Sequence, residues 1–410
     1  MGGGDRLAGL TRADAEAADA ADPLAAFRDR FVHADDRIYL DGNSLGRLPL
    51  ATRDRMAALT AEWGEQLVSG WPQWIDAPTT AGDAIAGVIG ARPGEVLACD
   101  STTVNLYKLV GALIDEADEP RALVIDRDEF PTDRYVVEGF AQQTAILLKT
   151  VVGDPQFEAR DLLVLSHVNY RTGALRDLAG LQARADAAGA TVVWDLSHSA
   201  GAVPVDLHDA GARYAVGCTY KYLNAGPGAP GYLYVREDLQ DGLRSPIQGW
   251  FGQADQFAME RPYEPHAGIR RFLAGTPPIL GLAAVEEGAK LTAEAGIVAL
   301  HAKAMALTER LIALHDAWLA PLRFELGSPR DPAARGSHVS LRHREAWQIT
   351  RALIERAAVV PDFRGPDSVR LGVAPLYTRH VDVHDALERL RDLVALGAHR
   401  EFDSAPGRVT

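Results

Sequence analysis

Lysine is scarce in this chain: Lys108, Lys149, Lys221, Lys290 and Lys303 are the only ones in 410 residues, so arginine carries nearly all the positive charge. Any lysine therefore asks for an explanation, although most lysines sit at the surface. Cysteine is scarcer still. Cys99 and Cys218 lie far apart in apolar neighbourhoods, which excludes a disulfide framework or a zinc spacing and predicts two buried, reduced thiols. Positive charge is in deficit, with a formal net charge of -14 and no basic run. That balance argues against a nucleic acid partner or an anionic membrane. No apolar stretch approaches the roughly 18 residues of a spanning helix. The opening "MGGGDRLAGLTRADAEAADAADPL" is acidic and alanine-rich, unlike a secretory signal, so a cytoplasmic location is expected. No strand leads into a GxGxxG turn, which removes the dinucleotide fingerprint.

What is present is alternation. Branched apolar runs at 121–126, 143–152, 161–168, 190–197, 214–220 and 231–237 are separated by helix-patterned segments, the clearest being 175–189 with a closing glycine. This is the form of an α/β protein with a mostly parallel sheet flanked by helices. After "GTPPIL" (275–280) the chain turns into long helical segments to about Leu319. A strand at 337–343, a helix at 344–358, a strand near "VRLGVAP" and a final amphipathic helix then predict a small α/β domain. The expected division is a large domain over 50–300 and a small one built from 1–49 and 301–410.

Ligands in such sheets gather beyond the carboxyl ends of the strands. Asp195 ends one apolar run, His198 follows three residues on, and Lys221 comes after the next run. A carboxylate there suits a metal ligand, a ribose partner, or the partner of a protonated ring nitrogen. The last role needs one buried acid with no second acid beside it. Asp195 with Lys221 fits a pyridoxal phosphate enzyme, in which a lysine amine forms a Schiff base and an aspartate keeps the pyridine nitrogen protonated. The hexapeptide "DSTTVN" (100–105) ahead of a helix pattern reads either as a plain Ser/Thr cap or as a phosphate cup.

In this order, "YLDGNSLGRLP", "DSTTVNLYKL", "EFPTDRY", "LSHVNYRTG", "DLSHSAGAVPVDL", "GCTYKYLNAGPGAP", "GWFG", "GTPPIL" and "VRLGVAPLY" give a chain that resembles the kynureninases, fold-type I pyridoxal phosphate hydrolases related to class V aminotransferases. The resemblance implies cleavage of L-kynurenine or 3-hydroxykynurenine to an anthranilate and L-alanine, in tryptophan catabolism and NAD biosynthesis. It implies Lys221 as the cofactor-bearing lysine, Asp195 on the pyridine nitrogen, and His198 close by. Thr102, Thr103 and Tyr220 would take the phosphate, with Trp250 and Thr276 reaching in from the other subunit of a homodimer with shared sites. Phe130 would cover the ring, with Pro131, Thr132, Asp133 and Ser166 completing the pocket. Arg370 would clamp the substrate carboxylate, Tyr220 would relay protons to the ketone, and Trp71 would wall the aryl slot. No metal is implied.

One position departs from the family pattern: Gln253 follows "GWFG" where histidine is usual, which leaves room for a ring-modified kynurenine as substrate. A cysteine desulfurase would need a mobile catalytic cysteine, and neither Cys99 nor Cys218 is so placed. An aminotransferase of the same class remains the other enzyme reading. A cofactor-binding protein without catalysis would be expected to have lost Lys221 or Arg370, and both are present.

Overall fold

The computed structural model describes residues 10–33, 36–115, 120–257, 259, 262–405 and 407. The first nine residues of the acidic N-terminal stretch lie outside them. The chain divides into two compact units: Ala51–Asn169 with Arg176–Glu294, and Met1–Leu50 with Tyr170–Leu175 and Ala295–Thr410.

The larger unit is built on a seven-stranded sheet. Its strands are β1 (Val96–Ala98), β2 (Ala122–Asp126), β3 (Leu147–Val151), β4 (Asp161–Ser166), β5 (Thr191–Asp195), β6 (Tyr214–Gly217) and β7 (Tyr232–Val235). The spatial order is β1-β7-β6-β5-β4-β2-β3, parallel from β3 through β6 and antiparallel at β7 and β1. Central strands such as β2 and β4 are buried at every position, as expected where helices cover both faces. The edge strand β3 is half-exposed and carries Lys149, a residue type that discourages edge-to-edge pairing.

Helices α1 (Ala77–Ile89), α2 (Thr102–Asp115), α3 (Pro131–Thr144) and α4 (Leu178–Ala188) join these strands, and α5 (Ile279–Ala295) closes the unit. Proline opens α3 at its first turn, where a missing N–H costs nothing. Asp177 caps α4 through the Gly180 N–H at 3.0 Å, and Gly189 ends it at φ 73°. The helix expected from 175 thus starts at Leu178, because residues up to Leu175 belong to the other unit. The run 143–152 likewise splits, with α3 ending at Thr144 and β3 starting at Leu147. β1, inside "GEVLACD", is too short to show a period.

In the smaller unit, β8 (Glu325–Leu326), β9 (His338–Arg342), β10 (Asp362–Arg364) and β11 (Ser368–Gly372) form an antiparallel sheet of order β10-β11-β9-β8. Helices α6 (Ile297–Leu314), α7 (Ala346–Arg356) and α8 (His380–Ala395) contribute Leu307, Leu311, Ile349, Leu353, Leu387 and Leu390 to its core. Tyr170–Leu175 joins this unit through backbone bonds from Leu175 N to Ala334 O (2.9 Å) and from Gly336 N to Gly173 O (2.8 Å). Gly173 is required there, since its φ is +71° and a Cβ would lie 2.6 Å from His338 O. No hydropathy pattern marks so short an excursion, so the division differs from a continuous 50–300 domain.

A Cβ on Gly288 of α5 would lie 1.9 Å from the carbonyl oxygen of Leu223, two residues past Lys221. Gly288→Ala should therefore lower stability by about 1–3 kcal/mol. Gly87→Ala, on the exposed face of α1 with nothing within 4 Å, should be neutral or stabilising by about 0.5–1 kcal/mol. Chemical denaturation of the two variants checks this; equal midpoints would show that α5 does not press on the Lys221 turn.

Candidate active site

Register along the parallel strands brings the polar residues together. Ser166 pairs with Asp195 across β4 and β5, and Asp195 pairs with Val216 across β5 and β6. The chain that leaves β6 carries Tyr220 and Lys221. Lys221 Nζ lies 2.9 Å from His198 Nε2 and 6.0 Å from the ring centroids of both Phe130 and Tyr220. Phe130 is 40% exposed, so it is not an ordinary core aromatic.

Asp195 is buried, and its Oδ1 accepts from the Ser197 N–H at 2.7 Å. The expectation of a solitary acid fails, because Asp133 on the first turn of α3 faces it, fully buried. Burial first, and then the charges of Asp195 and Glu129, push the Asp133 carboxyl well above the usual range. Two carboxylates in one buried pocket disfavour double ionisation, and it is the Asp133 carboxyl that is pushed up. The pocket holds a pair of acids and not one.

Glu129 was not singled out in the sequence. Its Oε1 accepts from the Ser166 N–H at 3.0 Å and from Arg176 at 2.6 Å, while Arg176 also reaches Asp126 at 2.6 Å. This ion-paired brace ties the ends of β2 and β4 to the Phe130 turn. Acidic residues flanking a proline-initiated helix are too common for the pattern to stand out.

At the start of α2 the hydroxyls divide their tasks. Ser101 Oγ accepts from the Val104 N–H at 3.3 Å and so supplies the cap. Thr103 Oγ1 lies 3.1 Å from Thr132 Oγ1, and the buried Thr102 Oγ1 has no hydrogen-bond partner. With a serine doing the capping, Thr102 and the open N–H groups of a 14-residue helix remain for an anion. Gly231 lets the chain pass close by, since a Cβ there would lie 2.9 Å from Thr102 N. An orphaned buried hydroxyl, a glycine cradle, a lysine and a buried aspartate fit pyridoxal phosphate.

Trp71, Trp250 and Thr276 form a second group. Trp71 and Trp250 pack against Phe251 at 6.0 and 4.5 Å, and Trp71 and Thr276 line a cavity of about 510 Å³ with Trp63 and Trp74. Trp250 is 42% exposed. Gln253 has a local task, accepting the Glu264 N–H at 2.8 Å.

Arg370, on β11, is not a solvated charge: it is 1% exposed. It pairs with Asp362, donates to Ser44 Oγ (2.9 Å) and to the Tyr170 carbonyl, and meets the Asn43 amide oxygen at 2.7 Å. Both thiols are buried, and burial pushes Cys99 up to about 11, which suits packing and not nucleophilic attack. Among the described residues, His384, Asp385 and Glu388 have metal-ligand spacing, but Asp385 is held by Arg12 and Glu388 by Arg391.

Comparison with known proteins identifies the family. Residues 72–318 match the aminotransferase class-V family and residues 300–390 the kynureninase C-terminal domain. The chain is 44% identical to a kynureninase of Pseudomonas fluorescens over 398 residues, 94% of this chain and 95% of that one. The chain belongs to the kynureninase family. A second kynureninase, from Burkholderia pseudomallei (strain K96243), is 41% identical over 404 residues, covering 95% of this chain and 97% of that one. Among solved structures, a cysteine desulfurase from Thermococcus onnurineus NA1 aligns with a TM-score of 0.78 at 19% identity, over 90% of this chain and 98% of that one. The Escherichia coli desulfurase CsdA gives 0.75 at 18%, over 91% and 98%. At such identities the likeness is one of fold.

The Asp133 carboxyl yields a pH prediction. A folded-state value raised above the unfolded one stabilises fully below the ordinary carboxyl range, and that contribution is lost as pH rises. The cofactor-free protein should lose thermal stability as pH rises above the ordinary carboxyl range, and Asp133→Asn, which stays neutral, should flatten that decline. Identical slopes would mean that Asp133 ionises like a surface aspartate.

Proposed function

We propose that this kynureninase-family protein hydrolyses L-kynurenine, or a ring-substituted kynurenine, to the corresponding anthranilate and L-alanine, using pyridoxal phosphate. The observation that carries the reading is Lys221 at 2.9 Å from His198, in a pocket with the Asp195–Asp133 pair, within a chain 44% identical to a kynureninase along almost its whole length. A place in tryptophan catabolism is part of the same proposal.

Pyridoxal phosphate, when bound, supplies an electron sink for the pair left at the substrate's α carbon. The protein's residues do the rest. Lys221 would hold the cofactor through its side-chain amine and would move the proton at the α carbon. His198, at hydrogen-bond distance, holds the Lys221 amine in place between these tasks. Asp195 would pair with the pyridine nitrogen, and the Asp133 carboxyl beside it is pushed up by burial and by the charges of Asp195 and Glu129. Thr102, Thr103 and Tyr220 would hold the phosphate, and Phe130 would lie against the ring, with Pro131, Thr132 and Ser166 completing the wall. Tyr220 relays a proton to the ketone as water adds and the Cβ–Cγ bond breaks. Arg370 takes the substrate carboxylate, a role suited to a planar two-pronged donor, and Trp71 offers an apolar face to the aryl ring.

The protein works as a homodimer with shared sites. The exposure of Trp250, Trp63 and Leu67 (42, 56 and 63%) supports this, since aromatic and aliphatic side chains in the open favour a covering partner. Trp250 and Thr276 then act on the phosphate in the site of the second copy.

Incubation with L-kynurenine should release equimolar anthranilate and L-alanine, and Lys221→Ala should abolish both the release and borohydride-trappable cofactor. Normal turnover by that variant would sink the assignment. Parallel assays with 3-hydroxykynurenine and other substituted rings set the ring preference. Mixing Lys221→Ala with Trp250→Ala protein, each nearly inactive, should restore activity through hybrid dimers. Absence of recovery in mixtures shown to contain hybrids would remove the shared site.

A further inference from the structure

Lys108 has no part in that chemistry, yet it is 0% exposed in the middle of α2. Its ammonium lies 2.7 Å from Asp100 Oδ2, 2.8 Å from the Phe272 carbonyl oxygen and 3.3 Å from Cys99 Sγ. A buried cation is tolerated only where it is paired and hydrogen-bonded. The choice of lysine in a chain that otherwise favours arginine follows from the acceptors: three of them around a compact ammonium suit its rotatable donors, and a planar guanidinium does not match them.

Its anionic partner is unusual. Asp100 has φ +45°, a left-handed conformation that non-glycine residues avoid. That conformation reverses the chain from β1 into α2. Two bonds tie the reversal to β7: Gly231 N donates to Asp100 O at 2.8 Å and Cys99 N to Gly231 O at 3.0 Å. Gly231 also presses on the first residue of α2, since a Cβ there would lie 2.9 Å from Thr102 N. Behind it, Asn105 Nδ2 donates to Cys99 O at 2.6 Å, and the Cys99 thiol lies 3.2 Å from Asn105 Oδ1. The Asp100 carboxylate therefore spans from the strained turn to a fixed point on α2, eight residues further along the chain.

We infer that Lys108 is a positioning residue for the phosphate-binding end of α2: its ammonium holds Asp100 in the left-handed conformation and so sets the aim of the Thr102 and Thr103 N–H groups and hydroxyls. This rests on the proposed cofactor reading and extends it to a residue that touches neither cofactor nor substrate.

The test is titration of the cofactor-free protein with pyridoxal phosphate, followed by absorbance and by quenching of tryptophan fluorescence, with no turnover involved. Lys108→Met should weaken binding by at least about tenfold, the equivalent of releasing one strained residue. Adding Asp100→Gly to that variant should restore affinity to within about threefold, because glycine takes a positive φ without help. Should Lys108→Met fail to fold, the contrast of Asp100→Asn with Asp100→Ala carries the same question. Asparagine visits the left-handed region and should bind near the wild-type level, whereas alanine should bind about tenfold more weakly. Unchanged affinity in Lys108→Met, no rescue by Asp100→Gly, or equal affinities for the asparagine and alanine variants each overturns the inference while leaving the functional reading standing. Wild-type protein that binds no pyridoxal phosphate overturns both.

Discussion

One buried carboxylate organises the larger unit. Asp195 ends the central strand β5 with little exposure to water, so the groups around it must supply its partners. The Ser197 N–H donates to it, the neighbouring Asp133 carboxyl is pushed up by burial and by the charges of Asp195 and Glu129, and the Lys221–His198 pair lies in the same pocket. Parallel register is what makes the arrangement rigid. Ser166, Asp195 and Val216 lie side by side because β4, β5 and β6 pair in parallel in that register.

The cations divide by chemistry. Arginines brace buried corners where flat, many-pronged donors find several oxygens: Arg176 between Asp126 and Glu129, Arg271 on three carbonyls and Asp241, and Arg370 among Asp362, Ser44 and Tyr170. Lysines are few, and several are inside. Lys108 and Lys303 are buried in ion pairs with Asp100 and Asp22, and Lys221 faces His198. The ordinary expectation of surface lysines is reversed here, and rarity was a better guide than the residue type's average behaviour.

Much of the fold was readable because it rests on local periodicity. Runs such as "RALVID" and "DLLVLS" are apolar at successive positions because both faces of the sheet are covered, and Gly189 and Pro131 mark helix ends for backbone reasons. Boundaries slipped where a neighbour decides them, as at Leu175, which bonds to Ala334 instead of opening α4. In the site, Lys221, Asp195, His198 and Thr102 announced themselves as polar residues just after apolar runs. Glu129, Asp100 and Lys108 did not, since an acid or a lysine beside a helix looks solvated until the chain folds over it.

The sequence by itself determined the alternation of strands and helices, the lysine and aspartate at successive strand ends, and membership of the kynureninase family, because these depend on residue type and spacing along the chain. Tertiary structure alone decided that Asp133 stands against Asp195, that Ser101 and not Thr102 caps α2, and that Arg370 already has partners in its own unit. Protonation state, hydrogen-bond partnership and burial depend on residues distant along the chain, and only folding brings those within a few ångströms.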